Sequence, residues 1–73
     1  MNGAAIVGCG LVGRKRALAL HNLGVPVRAV HDVDEDRAAS LAADLHDVSV
    51  APSAEQALAC DGVDFAVVAT EHK

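Results

Sequence analysis

Three glycines in the stretch Gly8-Cys9-Gly10-Leu11-Val12-Gly13 have a spacing that can cradle a pyrophosphate. Each has its own task. Gly8 permits a tight turn out of a strand. Gly10 lets the backbone approach a phosphate with no Cβ in the way. Gly13 permits a helix to pack closely on the strand before it. The N–H groups of Leu11 and Val12, at the start of that helix, would face the anion, where the helix dipole favours negative charge. Asp32 follows about twenty residues later, where a ribose-binding acid belongs. Its carboxylate can accept from both hydroxyls of an adenosine ribose and would repel a 2′-phosphate. NAD is therefore expected ahead of NADP. Arg37 is the nearby base that could answer a 2′-phosphate.

Arg14-Lys15-Arg16 breaks a local rule, because cations in the first turns of a helix oppose its dipole. Such exceptions mark candidate functional positions, and Arg14 is expected to help neutralise the pyrophosphate. Lys15 and Arg16 read as a solvated basic face. Cys9, squeezed between two glycines, reads as a compact packed side chain rather than a nucleophile. Cys9 and Cys60 show neither metal nor redox spacing, and no disulfide is expected. The four histidines lack metal-ligand spacing. His72 stands apart, because it follows the last strand at the end where cofactor and substrate would meet.

These residues need elements to hold them. Ala4-Ala5-Ile6-Val7 reads as a buried strand, and Leu11 to Leu23 as a helix with Gly13, Ala17, Leu20 and Gly24 on one face. Gly24 is placed to stop it, with Pro26 just beyond. Val27-Arg28-Ala29-Val30-His31 is the second strand. Asp34 is the expected N-cap of a second helix, with Glu35 and Asp36 in its first turn. Ala38, Leu41, Ala42 and Leu45 form its apolar stripe, and His46-Asp47 ends it. Val48-Ser49-Val50 is a third strand. Pro52 and Ser53 open a third helix, and Ser53 with Gln56 has capping-box spacing. Phe65-Ala66-Val67-Val68-Ala69 is a continuous apolar run of the kind buried on both faces.

The order β-α-β-α-β-α-β predicts an α/β fold, a Rossmann-type doubly wound parallel sheet. Right-handed crossovers give the strand order 3-2-1-4, with the ligand at the switch point between strands one and four. That layout leaves the outer edge of the apolar fourth strand bare. Residues 1–73 are therefore expected to be the N-terminal dinucleotide-binding part of a longer protein, an incomplete domain without its substrate domain.

The totals exclude other classes. The 73 residues suffice for one small domain. The single aromatic residue, Phe65, leaves no stacking platform for single-stranded nucleic acid. The net charge of −4 argues against a polyanion binder. No signal peptide or membrane-spanning run is visible, so a cytoplasmic protein with no membrane or nucleic-acid partner is expected.

Taken in order, these pieces resemble the N-terminal domain of the Gfo/Idh/MocA oxidoreductases. The resemblance rests on Ala5-Ile6-Val7-Gly8-Cys9-Gly10, Gly13-Arg14-Lys15-Arg16-Ala17, Ala29-Val30-His31-Asp32-Val33-Asp34, Arg37-Ala38-Ala39 and Val63-Asp64-Phe65-Ala66-Val67-Val68-Ala69-Thr70. It spans essentially the whole chain. It implies a dehydrogenase that moves hydride between NAD(P) and a sugar, polyol or sugar nucleotide, with a second α/β domain for the substrate and assembly as a homo-oligomer. It also implies that Thr70 and His72 line the cofactor site. The family's Glu-Lys-Pro-type lysine comes later than Lys73, so no catalytic residue is expected in this chain. Two positions depart from the pattern: Glu71 stands where the family usually has Pro, and Arg16 where it often has His.

A second family also opens with a glycine loop and an Asp-ended second strand, the nucleotide-sensing regulatory domains of potassium transporters. These usually carry an acidic Gly-Asp segment after the third strand, which Val50-Ala51-Pro52-Ser53 lacks. A Rossmann module kept only as a scaffold is a third reading, and the intact glycines and Asp32 speak against it.

Overall fold

A computed structural model describes residues 3–69. The elements run β1 (Ala4–Val7), α1 (Leu11–Asn22), β2 (Val27–His31), α2 (Glu35–Asp44), β3 (Ser49–Val50), α3 (Ala54–Ala59) and β4 (Phe65–Val68). The strands form one parallel sheet in the order β3-β2-β1-β4, as the alternation of elements predicts. The reversal of strand order falls between β1 and β4.

Side-chain alternation along the strands sorts the core into two layers. Ile6 and Val30 turn to the face where Ala17 of α1 and Ala38 and Leu41 of α2 close over them, with Val67 of β4 packed alongside. Ile6, Val30 and Leu41 are fully buried, and each burial is worth about 1.5–3 kcal/mol. The opposite face carries Ala5 and Ala29, under Ala51 and Ala57. Small side chains on both partners let the short α3 lie close to the sheet.

The helix ends follow local chemistry. Asp34 caps α2 by accepting from the amides of Asp36 and Arg37, and the Ser53 hydroxyl caps α3 by accepting from Gln56. After α1, Gly24 adopts φ +82°, the left-handed conformation of a helix stop. Gly24 is exposed and lies beyond the helix, so it is not part of the packed face expected from sequence. Helix α2 ends at Asp44, earlier than the expected His46-Asp47. Leu45 leaves the helix in an extended conformation and is 3% exposed, so burial of its side chain ends the helix.

The fourth strand departs most from expectation. Its register sets Phe65 opposite Ala4 and Val68 opposite Val7, and only Val67 and Ala66 join the two core layers. Phe65 is 38% and Val68 69% exposed. An apolar run predicts burial on both faces, but β4 is an edge strand and no helix of the described residues covers the ends of either face. Its start is pinned to β1 by Asp64, whose carboxylate accepts from the Gly3 amide at 3.0 Å while its own amide donates to the Gly3 carbonyl at 2.8 Å. Asp64 in the Val-Asp-Phe motif thus has a structural task.

Candidate functional site

Strand β1 ends with the Gly8 amide donating to the His31 carbonyl at 2.8 Å. Gly8 then takes φ +98°, a conformation that disfavours any side chain, and turns the chain toward α1. Gly10 is the N-cap of α1 and offers no side chain to cap it. Both other helices are capped by a side chain, whereas the first-turn amides of α1 have no such partner, and no acid stands in that turn. Helix α1 lies so close to β1 that a Cβ on Gly13 would run into the Gly8 carbonyl. The tasks assigned from sequence to Gly8 and Gly13 are therefore visible in the backbone. Leu11 and Val12 are exposed, and their amides belong to the first turn of α1, which no side chain caps.

Asp32 lies one residue beyond β2 and is held against the glycine turn. One carboxylate oxygen accepts from the Cys9 amide at 2.6 Å and the other from the Asp34 amide at 2.8 Å. Each oxygen keeps a further lone pair for a ligand hydroxyl. Burial pushes the Asp32 carboxyl up, but the hydrogen bonds from Asp34 and Cys9, with the charges of Arg37 and His31, outweigh it and hold it below the ordinary 3.8. A lowered carboxyl contributes stability above its unfolded value and loses it as pH falls through the folded one. Parent and Asp32→Ala should therefore show the same change in urea midpoint from pH 8 to about pH 5, and the parent alone should lose this increment below about pH 4. Parallel curves below pH 4 would show that the carboxylate contributes nothing.

Cys9 is 4% exposed and its Sγ lies 3.5 Å from the His31 carbonyl. Burial first, then the Asp32 charge, push its thiol up to about 11, against a smaller opposite pull from the His31 bond. A thiol so poised stays protonated and is no nucleophile.

Around these groups a cleft of ≈ 290 Å³ opens at the carboxyl ends of the strands, lined by Val7, Gly8, Gly10, His31, Asp32, Val33, Arg37, Ala54 and Ala69. It spans the switch point between β1 and β4. A second cleft of ≈ 630 Å³ adjoins it over the ends of β2 and β3 and shares His31, Asp32, Val33 and Ala54. Arg37 stands at the rim, with Nε 3.7 Å from an Asp34 carboxylate oxygen. Arg14 is elsewhere: its guanidinium pairs with Asp44 of α2 and it does not line either cleft. The expectation that Arg14 faces the anion missed Asp44, a partner thirty positions away in the chain that folding brings within reach. Thr70 and His72 lie outside the described residues. Among the described residues no group of three His, Cys, Asp or Glu side chains could hold a metal ion, and no helix is long and apolar enough to cross a membrane.

His31 escaped the sequence reading, although it lines both clefts. Its place just before Asp32, at the end of a strand, was the available signal.

No protein-family model matches the sequence, and a search of curated proteins finds no significant relative. Solved structures do match. One is GenD2 from gentamicin A biosynthesis, in complex with NAD, with 38% identity over 94% of this chain and a TM-score of 0.81. Another is myo-inositol dehydrogenase from Lactobacillus casei, in complex with NAD(H) and myo-inositol, with 27% identity over 96% of this chain and a TM-score of 0.88. The chain spans 20% of the first and 22% of the second. Both are Gfo/Idh/MocA-type oxidoreductases, so the family resemblance carried by the sequence motifs is borne out in structure.

Proposed function

We propose that this chain, which has the fold and motifs of the nucleotide-binding unit of Gfo/Idh/MocA-type oxidoreductases, holds NAD for hydride transfer in a longer dehydrogenase. The observation that carries the reading is that the Asp32 carboxylate and Gly10, the N-cap at which no side chain caps α1, line one cleft. In this reading the backbone from Gly8 through Cys9, Gly10, Leu11 and Val12 to Gly13 receives the pyrophosphate. Asp32 takes the adenosine ribose, and Arg37 flanks it at the rim. Arg14, committed to Asp44, is left out of these contacts. Thr70 and His72 complete the nicotinamide end, on the strength of the family resemblance alone.

The dinucleotide supplies the hydride chemistry when bound. The residues of this chain bind and orient it. Asp32 stays ionised at neutral pH, which favours a ribose diol and repels a 2′-phosphate, so NAD is preferred over NADP. The substrate would be a sugar, polyol or sugar nucleotide held by a second domain of a homo-oligomeric, cytoplasmic enzyme. The neighbour solved with myo-inositol supports a polyol-type substrate.

Titration calorimetry with NAD, NADP and ATP tests the reading. NAD should bind tightest, with NADP about tenfold weaker or more, the worth of one unfavourable charge contact near 1.4 kcal/mol. Equal affinity for NAD and ATP would favour a nucleotide sensor and remove the dehydrogenase reading.

A further inference from the structure

His31 ends β2 and makes bonds to both sides. Its carbonyl accepts from the Gly8 amide at 2.8 Å, and the Cys9 thiol lies 3.5 Å away. Its ring nitrogen Nδ1 lies 2.9 Å from the carbonyl oxygen of Ala51, which is 20 residues further along the chain. A carbonyl only accepts, so Nδ1 carries the proton and the tautomer is set. One residue thus links the glycine turn to the turn between β3 and α3.

That turn needs a link. Strand β3 has two residues, both exposed, at the edge of the sheet. Its ladder to β2 closes with the Ala51 amide donating to the Val30 carbonyl at 2.8 Å. In a longer parallel pair the next bond, to the Ala51 carbonyl, would come from the backbone amide of residue 32. Here the His31 imidazole supplies it. Beyond Ala51 the chain lines the larger cleft through Pro52, Ser53 and Ala54, and Asp32 lines the same cleft.

We propose that His31 is a positioning residue for the dinucleotide. Its Nδ1–H bond to Ala51 holds the β3–α3 turn at the separation from Asp32 at which the adenosine half is gripped between them. The proposal rests on the NAD reading of the site. It assigns His31 no contact with the reacting end of the cofactor.

The experiment measures binding of NAD and of ADP-ribose, which lacks the nicotinamide, to the purified parent, His31→Ala and His31→Asn. His31→Ala should weaken both ligands by about tenfold and by the same factor, because both carry the adenosine half. His31→Asn, whose amide nitrogen takes the place of Nδ1, should return both to within about threefold of the parent. Parental affinity in His31→Ala overturns the proposal, as does an Asn variant no better than the Ala variant. Should His31→Ala fail to fold, His31→Asn is compared with His31→Gln, whose amide stands one methylene further out. Equal affinities of those two overturn the proposal, and a clear advantage of Asn supports it. A parent that binds neither ligand overturns the NAD reading itself and the role of His31 with it.

Discussion

Gly13→Ala is expected to lower the melting midpoint by about 10 °C or more and to weaken NAD binding beyond tenfold. The added methyl would be driven into the Gly8 carbonyl. That obstacle is backbone, not the far end of a flexible side chain, so α1 must move off β1. Overpacking of this kind costs about 1–3 kcal/mol, and each kcal/mol shifts a small domain by about 4–8 °C. The displacement also carries the first-turn amides away from the anion they are proposed to bind, which is why binding suffers beyond the loss of stability. Gly10→Ala is the matched control. Its φ of −72° is open to any residue, so its melting midpoint should stay near the parent's while NAD binding weakens, the methyl standing where the pyrophosphate approaches. Thermal melts beside calorimetry separate the two effects. A Gly13→Ala protein that melts with the parent would show that helix and strand are not in that contact.

Asp32→Asn is expected to weaken NAD binding about a hundredfold and to narrow the NAD to NADP ratio. In the native protein the two carboxylate oxygens accept from the Cys9 and Asp34 amides. An Asn side chain has one acceptor and one donor, so its NH₂ must face one of those N–H groups. The glycine turn or the entry to α2 then loses its tie. The ligand loses the charged acceptor proposed for its ribose diol, and hydrogen bonds to a charged group contribute about 1.5–3 kcal/mol each, with 1.4 kcal/mol per tenfold. NADP gains from the removed charge what it loses in hydrogen bonding, so its affinity should change much less. Calorimetry on the pair of cofactors reads both numbers. An unchanged NAD to NADP ratio would mean that Asp32 orders the glycine turn without touching the ribose.

The glycine turn, the strand order, Asp32 at the end of β2 and the caps Asp34 and Ser53 were all legible in the amino-acid sequence. Each depends on a signal confined to neighbours in the chain: an apolar run, a 3.6-residue period, a cap three residues before its partner, a glycine where φ is positive. Right-handed crossovers then convert the element order into a layout with no further information. Local rules of this kind pointed, from residue types alone, to the β1–β4 switch point, where the structure opens a cleft.

Tertiary structure decided which side chains meet there. Arg14 breaks the helix-dipole rule near the proposed anion site, yet its guanidinium goes to Asp44, because a long side chain is directed by the nearest charge in space. Val68 sits in an apolar run yet stays exposed, because burial depends on what covers a strand rather than on the strand's composition. The only signal His31 carried in the sequence was its place just before Asp32, at the end of a strand. Its partner Ala51 arrives only when a two-residue edge strand docks on β2, at a residue that lines both clefts. The sequence by itself determined the backbone frame and the acid that lines the cleft. Only the folded chain determined how that acid is tied to the glycine turn and how His31 reaches the Ala51 carbonyl, because those bonds join segments that no local periodicity relates.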